Sequence, residues 1–148
     1  MNKSLKISEK IILISGGSDG LGLATAKALN KANTVIILSP EKEKCEEVKK
    51  YFDIDYVITD ITKENDIEKA IKSIIKKYGR IDTLINNAGI WIEGDLTEND
   101  FEKIKKVFEV NVLGLIDLTQ KVIPFMKKLK KGRIINIVSQ AGLYPKAE

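Results

Sequence analysis

The chain has no histidine and only one cysteine, Cys45. Without histidine, a zinc site of the usual kind and a Ser–His–Asp triad are both excluded. A lone cysteine forms no internal disulfide, and Cys45 reads as a small core residue rather than a reactive thiol. Long apolar runs are missing as well: none approaches the roughly 20 residues that cross a bilayer. Residues 1–10 are polar and lack the apolar centre of a signal peptide, so the expected location is the cytoplasm, with no membrane partner. Charge of one sign is not concentrated. The 25 Lys and Arg stand among 21 Asp and Glu, for a net charge of +4. The lysines are dispersed along helices, and pairs such as Lys127-Lys128 have no aromatic residues between them. That is the pattern of a solvated surface, not of a nucleic-acid partner.

What is present is enough for a core. Of 148 residues, 43% are hydrophobic and 31% charged, which fits one soluble globular domain over 1–148. Residues 11–14 are all apolar, as in a strand buried on both faces. The turn Ser15-Gly16-Gly17-Ser18-Asp19-Gly20-Leu21-Gly22 follows directly, and a helix of small residues runs from 21 to 29. A second apolar strand covers 35–38 and stops at Pro40. A charged helix over 41–51 follows, with Cys45 and Val48 as its inner edge. The third strand, 56–58, ends at Thr59-Asp60, and Thr62 is placed to cap the next helix. Ile67, Ile71, Ile74, Ile75 and Tyr78 recur at helical spacing, and Gly79 ends that helix. A fourth strand over 81–85 closes on Asn86-Asn87-Ala88-Gly89. After a loop with Trp91, a long helix starts at Thr97 or Asp100 and runs to about 129. Phe101, Ile104, Phe108 and Leu115 mark its expected inner stripe. The fifth strand, 134–138, ends at Ser139.

Strand and helix therefore alternate five times. This predicts an α/β fold: a Rossmann-like, doubly wound parallel sheet of about five strands with helices on both faces. Ligands of such sheets sit beyond the C-terminal strand ends. Here those ends carry the glycine turn, Asp60, Asn86-Asn87-Ala88-Gly89 and Ser139. Glycines at the first end let the backbone approach an anion, and the unpaired N–H groups of the helix start favour phosphate. The spacing differs from G-x-G-x-x-G and lacks the G-K that a P-loop requires, which argues against a nucleotide triphosphatase. Each feature has an ordinary reading too: a strand–helix turn, a strand-end acid, turn-forming asparagines, an amide satisfied by backbone at Asn111. Trp91 reads as a core or lid residue.

Taken together, these stretches resemble the short-chain dehydrogenase/reductase family along nearly the whole chain. Ser15 to Gly22 is similar to its T-G-x-x-x-G-x-G turn, with Ser in place of Thr. Asp60-Ile61 resembles its adenine-side pair, and Asn86-Asn87-Ala88-Gly89 is its N-N-A-G. Asn111 falls at its helical Asn, and the strand ending at Ser139 resembles the one that carries its catalytic Ser. The resemblance implies NAD(H) or NADP(H), hydride transfer between the nicotinamide and a small-molecule carbonyl or alcohol, and a homo-oligomer for a full-length member. It implies that Gly16, Ser18, Gly20, Leu21, Gly22, Asp60, Ile61, Asn87, Ala88 and Gly89 meet the cofactor. Ser139 would orient the substrate oxygen, and Asn111 would support a proton-relay water; no metal is implied. In the family a Tyr of Y-x-x-x-K is the general acid/base. The only tyrosine after Ser139 is Tyr144, and four residues later stands Glu148, not Lys. The expectation is a fold incomplete at its C-terminus, truncated before that motif, inactive alone and prone to self-association. The alternative is a non-catalytic dinucleotide-binding remnant or interaction module; a methyltransferase-type Rossmann enzyme fits the motif set less well. NAD versus NADP stays open. Ser39 stands where an acid often ends the second strand, Pro40 follows, and Asp19 stands where NADP users often place a basic residue.

Overall fold

A computed structural model describes residues 8–95 and 97–139. Five strands form one parallel sheet: β1 (Ile11–Ser15), β2 (Thr34–Ser39), β3 (Asp55–Ile58), β4 (Thr83–Asn86) and β5 (Arg133–Asn136). Their order is β3-β2-β1-β4-β5. The helices are α1 (Gly20–Leu29), α2 (Lys42–Phe52), α3 (Glu64–Tyr78), α4 (Phe101–Phe108) and α5 (Leu115–Lys128), with a π-helical turn, Glu109–Gly114, joining the last two.

Alternation along β1 explains the layers. Side chains of a strand point to opposite faces in turn. Ile12 and Ile14 pack with Ala26 of α1 and with Cys45 and Val48 of α2. Leu13 faces the other way, into a cluster with Ile67, Ile71 and Ile74 of α3 and Leu118 and Val122 of α5. A strand buried on both sides must be apolar throughout, as residues 11–14 are. Each fully buried Ile or Leu here contributes about 1.5–3 kcal/mol. In register, β1 lies between its two neighbours, with Leu13 opposite Ile36 of β2 and Leu84 of β4.

Four local expectations shift. Thr62 does not cap α3: Lys63 holds the N-cap position, and the Thr62 hydroxyl donates to Asp60 Oδ1 at 2.8 Å. The acid two residues upstream competes successfully for the hydroxyl. The long helix does start at Asp100, whose Oδ1 accepts from Glu102 N at 3.0 Å, but it is not regular. Its stripe also differs. Phe101 and Phe108 are exposed, and the residues buried against the sheet are Leu118, Val122 and Met126. The π turn rotates the face that α4 presents relative to α5, which a single helical period cannot express. Finally, β5 is shorter than expected and lies at a sheet edge among the described residues. Its Ile134 and Ile135 are partly exposed. Tyr144 and Glu148 fall outside the described residues.

Candidate cofactor cleft

The strand order reverses direction between β1 and β4, and a cleft opens at that switch. It encloses about 840 Å³, within the range of roughly 300–1,000 Å³ for small-molecule and cofactor sites. The glycine turn, the end of β2, Asp60-Ile61 and the segment from Asn87 to Trp91 line it.

The floor is two turns pressed together. Ser15, the last residue of β1, accepts on Oγ from the backbone N–H groups of Asn87 and Ala88, both at 3.1 Å. In return the Asn87 amide donates to the carbonyls of Ser15 at 3.2 Å and Gly16 at 3.0 Å. Gly16 has φ +65°, and a Cβ there would fall 2.8 Å from Ala88 Cα. A Cβ on Gly22 would fall 2.1 Å from the Gly16 oxygen. Only bare backbone permits this approach, so the glycines are demanded by contact as well as by turn geometry. The result is a tight strand-to-helix turn, with glycine at its points of closest contact, leading to the start of α1. Asp19 caps that helix, accepting from Gly20 N at 2.7 Å.

All the residues expected to meet the cofactor line the cleft except Gly22, which packs behind it on Gly16 and Asn87. Asp60 Oδ1 accepts from the Thr62 N–H at 3.0 Å as well as from its hydroxyl. Burial pushes the Asp60 carboxyl up, but the Thr62 hydrogen bonds and the nearby Lys106 and Lys63 charges outweigh it and hold the carboxyl below its usual range. Asp60 is thus an ionised acceptor with lone pairs to spare. Ile61 is fixed from behind, because Gly114 of the π turn approaches so closely that a Cβ there would lie 2.6 Å from the Ile61 oxygen.

Asn111 and Ser139 are not among the cleft-lining residues. Asn111 lies in the π turn, and its carboxamide pairs with the Ile90 peptide through both ends. Ser139 is exposed and follows β5, which is tied to β4 where Asn86 Nδ2 donates to Asn136 Oδ1 at 2.9 Å. Trp91 is no core residue: it is 79% exposed at the cleft rim.

Sequence reasoning missed three participants. Ser15 varies the motif's Thr, and a hydroxyl closing a buried strand beside a glycine turn signals a bond to the neighbouring turn. Gly114 carries no motif, but it lies three residues after Asn111. Glu41 is expected at the start of a charged helix; it instead holds the N-cap position of α2 and lines the cleft beside Ser39. Among the described residues no group of acids and cysteine is arranged to hold a metal ion, and no helix is long and apolar enough to cross a membrane.

The fit of this cleft to a dinucleotide rests on the glycine contacts of the 16–22 turn and the helix start behind it, with Asp60 and the Asn87 segment also lining the cleft. Comparison with known proteins points the same way. The family model described as short chain dehydrogenase matches residues 10–148. The 3-oxoacyl-acyl-carrier-protein reductase FabG of Thermotoga maritima is 32% identical over 146 residues, which are 95% of this chain and 59% of that protein. A 3-ketodihydrosphingosine reductase of Bacteroides thetaiotaomicron is 34% identical over 134 residues, 90% of this chain and 48% of its own. Among solved structures, a 3-ketoacyl-(acyl-carrier-protein) reductase from Brucella melitensis complexed with NADH superposes with a TM-score of 0.90 at 30% identity. It matches 95% of this chain, which spans 61% of that one. An actinorhodin polyketide ketoreductase with NADPH gives 0.89 at 26% identity, with coverage of 94% and 56%. The chain thus spans about half to three-fifths of the length of these relatives.

Proposed function

The chain belongs to the short chain dehydrogenase family, and from that premise we propose that it is the dinucleotide-binding part of an NAD(P)-dependent oxidoreductase. Residues 1–148 then form one NAD(P)-binding Rossmann domain of a cytoplasmic protein that assembles as a homo-oligomer in full-length form. The observation that carries this reading is the joining of the glycine turn to the Asn87–Ala88 turn through Ser15, at the switch point of the sheet.

In this reading the turn from Gly16 to Gly22 leaves room for the pyrophosphate at the start of α1, with Gly16 and Gly22 keeping the backbone approach open. Gly20 and Leu21 present the first turn, Ser18 lies toward the adenosine ribose, and Asp60 and Ile61 meet the adenine. Asn87, Ala88 and Gly89 flank the second ribose. A bound nicotinamide cofactor supplies hydride chemistry toward a small carbonyl or alcohol substrate. Ser139 orients the substrate oxygen. Asn111, held on the Ile90 peptide, fixes the wall of the site and supports the proton relay. The chain contains no Y-x-x-x-K, so binding without turnover is expected of the 148 residues. The same lack keeps a second reading in play: a non-catalytic dinucleotide-binding or interaction module.

Calorimetric titration with NADH and NADPH, alongside an assay of carbonyl reduction, tests the proposal. Saturable one-to-one binding without turnover is expected. Absence of binding to a folded chain contradicts it. Turnover by this chain contradicts the assignment of an incomplete acid/base set.

A further inference from the structure

Trp91 is the only tryptophan of the chain, and it stands in the open with an isoleucine on either side. Ile90 is 39% exposed and Ile92 is 36% exposed. A single exposed apolar residue is ordinary, but three in a row beside a cleft are not. Trp91 lines the cofactor cleft two residues beyond Gly89, as does Ile90. The backbone beneath the ring is fixed, because Asn111 holds both ends of the Ile90 peptide. The edge of the ring is engaged as well: Trp91 Nε1 donates to Glu93 Oε1 at 3.4 Å. What is left free is the flat face of the indole.

The charges around that face are unequal. An indole face is itself electron-rich, and the Glu93 carboxylate stands at its edge. The cation lining the same part of the cleft, Lys106, is drawn aside. Its ammonium donates to the Thr62 hydroxyl at 3.2 Å and pairs with Glu109 Oε2 at 3.5 Å. The free face of Trp91 therefore suits a flat ring that carries positive charge.

A nicotinamide dinucleotide has two flat rings. Adenine is neutral in both redox forms, whereas the nicotinamide ring is a pyridinium cation when oxidised and neutral when reduced. We infer that Trp91 is the aromatic wall of the nicotinamide end, and that with Glu93 it holds the oxidised ring more tightly than the reduced one. The inference rests on the dinucleotide reading of the cleft, in which Asn87, Ala88 and Gly89 flank the second ribose and Trp91 continues that segment. Tryptophan is the best aromatic partner for a cation, and at an exposed site the preference amounts to about two- to fivefold in affinity. By holding the oxidised ring more tightly, Trp91 and Glu93 bias the site toward hydride donation, the direction of carbonyl reduction.

The test compares NAD+, NADH and ADP-ribose, which lacks the nicotinamide, by calorimetry on the 148-residue chain and on Trp91→Ala, Trp91→Phe and Glu93→Gln. Melting temperatures confirm that each variant is folded. In Trp91→Ala the affinity for NAD+ relative to NADH is expected to fall about two- to fivefold, with ADP-ribose binding unchanged. Trp91→Phe should fall less, and Glu93→Gln should shift the ratio in the same direction. An unchanged ratio in Trp91→Ala overturns the inference and leaves the dinucleotide reading intact. So does a loss of ADP-ribose affinity as large as that of NAD+, which would put the indole against the adenosine half. A second measurement needs no variant, because the fluorescence of Trp91 reports on this ring alone. Saturating NAD+ should quench it and saturating ADP-ribose should not; equal quenching by the two overturns the inference. Binding of none of the three ligands to the folded parent overturns both the inference and the dinucleotide reading.

Discussion

Asn111 and the Ile90 peptide form a closed pair. The Ile90 N–H donates to Asn111 Oδ1 at 2.9 Å, and Asn111 Nδ2 donates to the Ile90 carbonyl at 2.8 Å. A side-chain amide thereby imitates a strand neighbour and holds the cleft wall beside Gly89 from behind, where a Cβ on Gly89 would lie 3.5 Å from Asn111 Oδ1. Replacing Asn111 by Leu removes both bonds at similar size. The expected cost is about 1–3 kcal/mol of stability, with faster amide exchange confined to residues 87–91. Unchanged exchange at Ile90 would show that the pair does not hold the wall.

Ser15 offers a smaller change with a sharper reading. Its hydroxyl is the acceptor for two adjacent N–H groups, those of Asn87 and Ala88. Ser15→Ala leaves both without that acceptor and should lower stability by about 1–3 kcal/mol. Ser15→Thr keeps the hydroxyl and should lose much less. Equal melting temperatures for Ser15→Ala and the parent contradict the clamp.

Gly22→Ala tests contact between the two turns. The new methyl group falls 2.1 Å from the Gly16 oxygen and 2.5 Å from Asn87 Nδ2. Backbone cannot give way cheaply, so dinucleotide affinity should fall at least tenfold while overpacking costs about 1–3 kcal/mol. Parent-like affinity by fluorescence titration argues against a phosphate cradle at this turn.

Much of this was legible in the sequence, and the parts that were not have physical reasons. The apolar runs at 11–14 and 35–38 announce strands covered on both faces, and Ile67, Ile71 and Ile74 announce a helix side. Strand ends with Asp60 and Asn87 announce the cleft. Asn111 on an apolar stripe signalled an amide needing partners, but not that the partner is the Ile90 backbone. The π turn was invisible because one extra residue per turn leaves no compositional mark. It also misdirected the stripe: Phe101 and Phe108 follow helical spacing yet face outward. Glu41 was hidden by Pro40, since the reversal that returns its carboxylate to Ser18 depends on one bond to Ser39.

Those outward phenylalanines carry a prediction of their own. Phe101 and Phe108 are 73% and 59% exposed and share one side of α4 at a spacing of two turns. Paired exposed aromatics invite association. Light scattering should show concentration-dependent self-association of the 148-residue chain, reduced in Phe101→Ser/Phe108→Ser. A monodisperse monomer across the concentration range contradicts this.

Acid sensitivity should trace to Asp55. Burial acts to raise its carboxyl pKa, but Lys49 at 2.7 Å, Lys77 at 2.8 Å and the Tyr78 hydroxyl outweigh burial and hold it far below the usual range. The folded value lies below the unfolded one. The stabilisation is therefore fully present above the unfolded value near 3.8 and is lost as pH falls toward the folded one. Asp55→Asn should melt lower at pH 7, and its melting temperature should fall less steeply than the parent's between about pH 4 and pH 2. Identical slopes contradict the assignment.

The most direct test of the central claim is amide hydrogen exchange of the 148-residue chain with and without NADH. A dinucleotide seated at the β1–β4 switch should slow exchange in two separate segments, 16–22 and 87–90, while leaving the far end of α3 around Lys77 unchanged. A folded chain whose exchange in both segments is unaffected by saturating NADH would contradict the account.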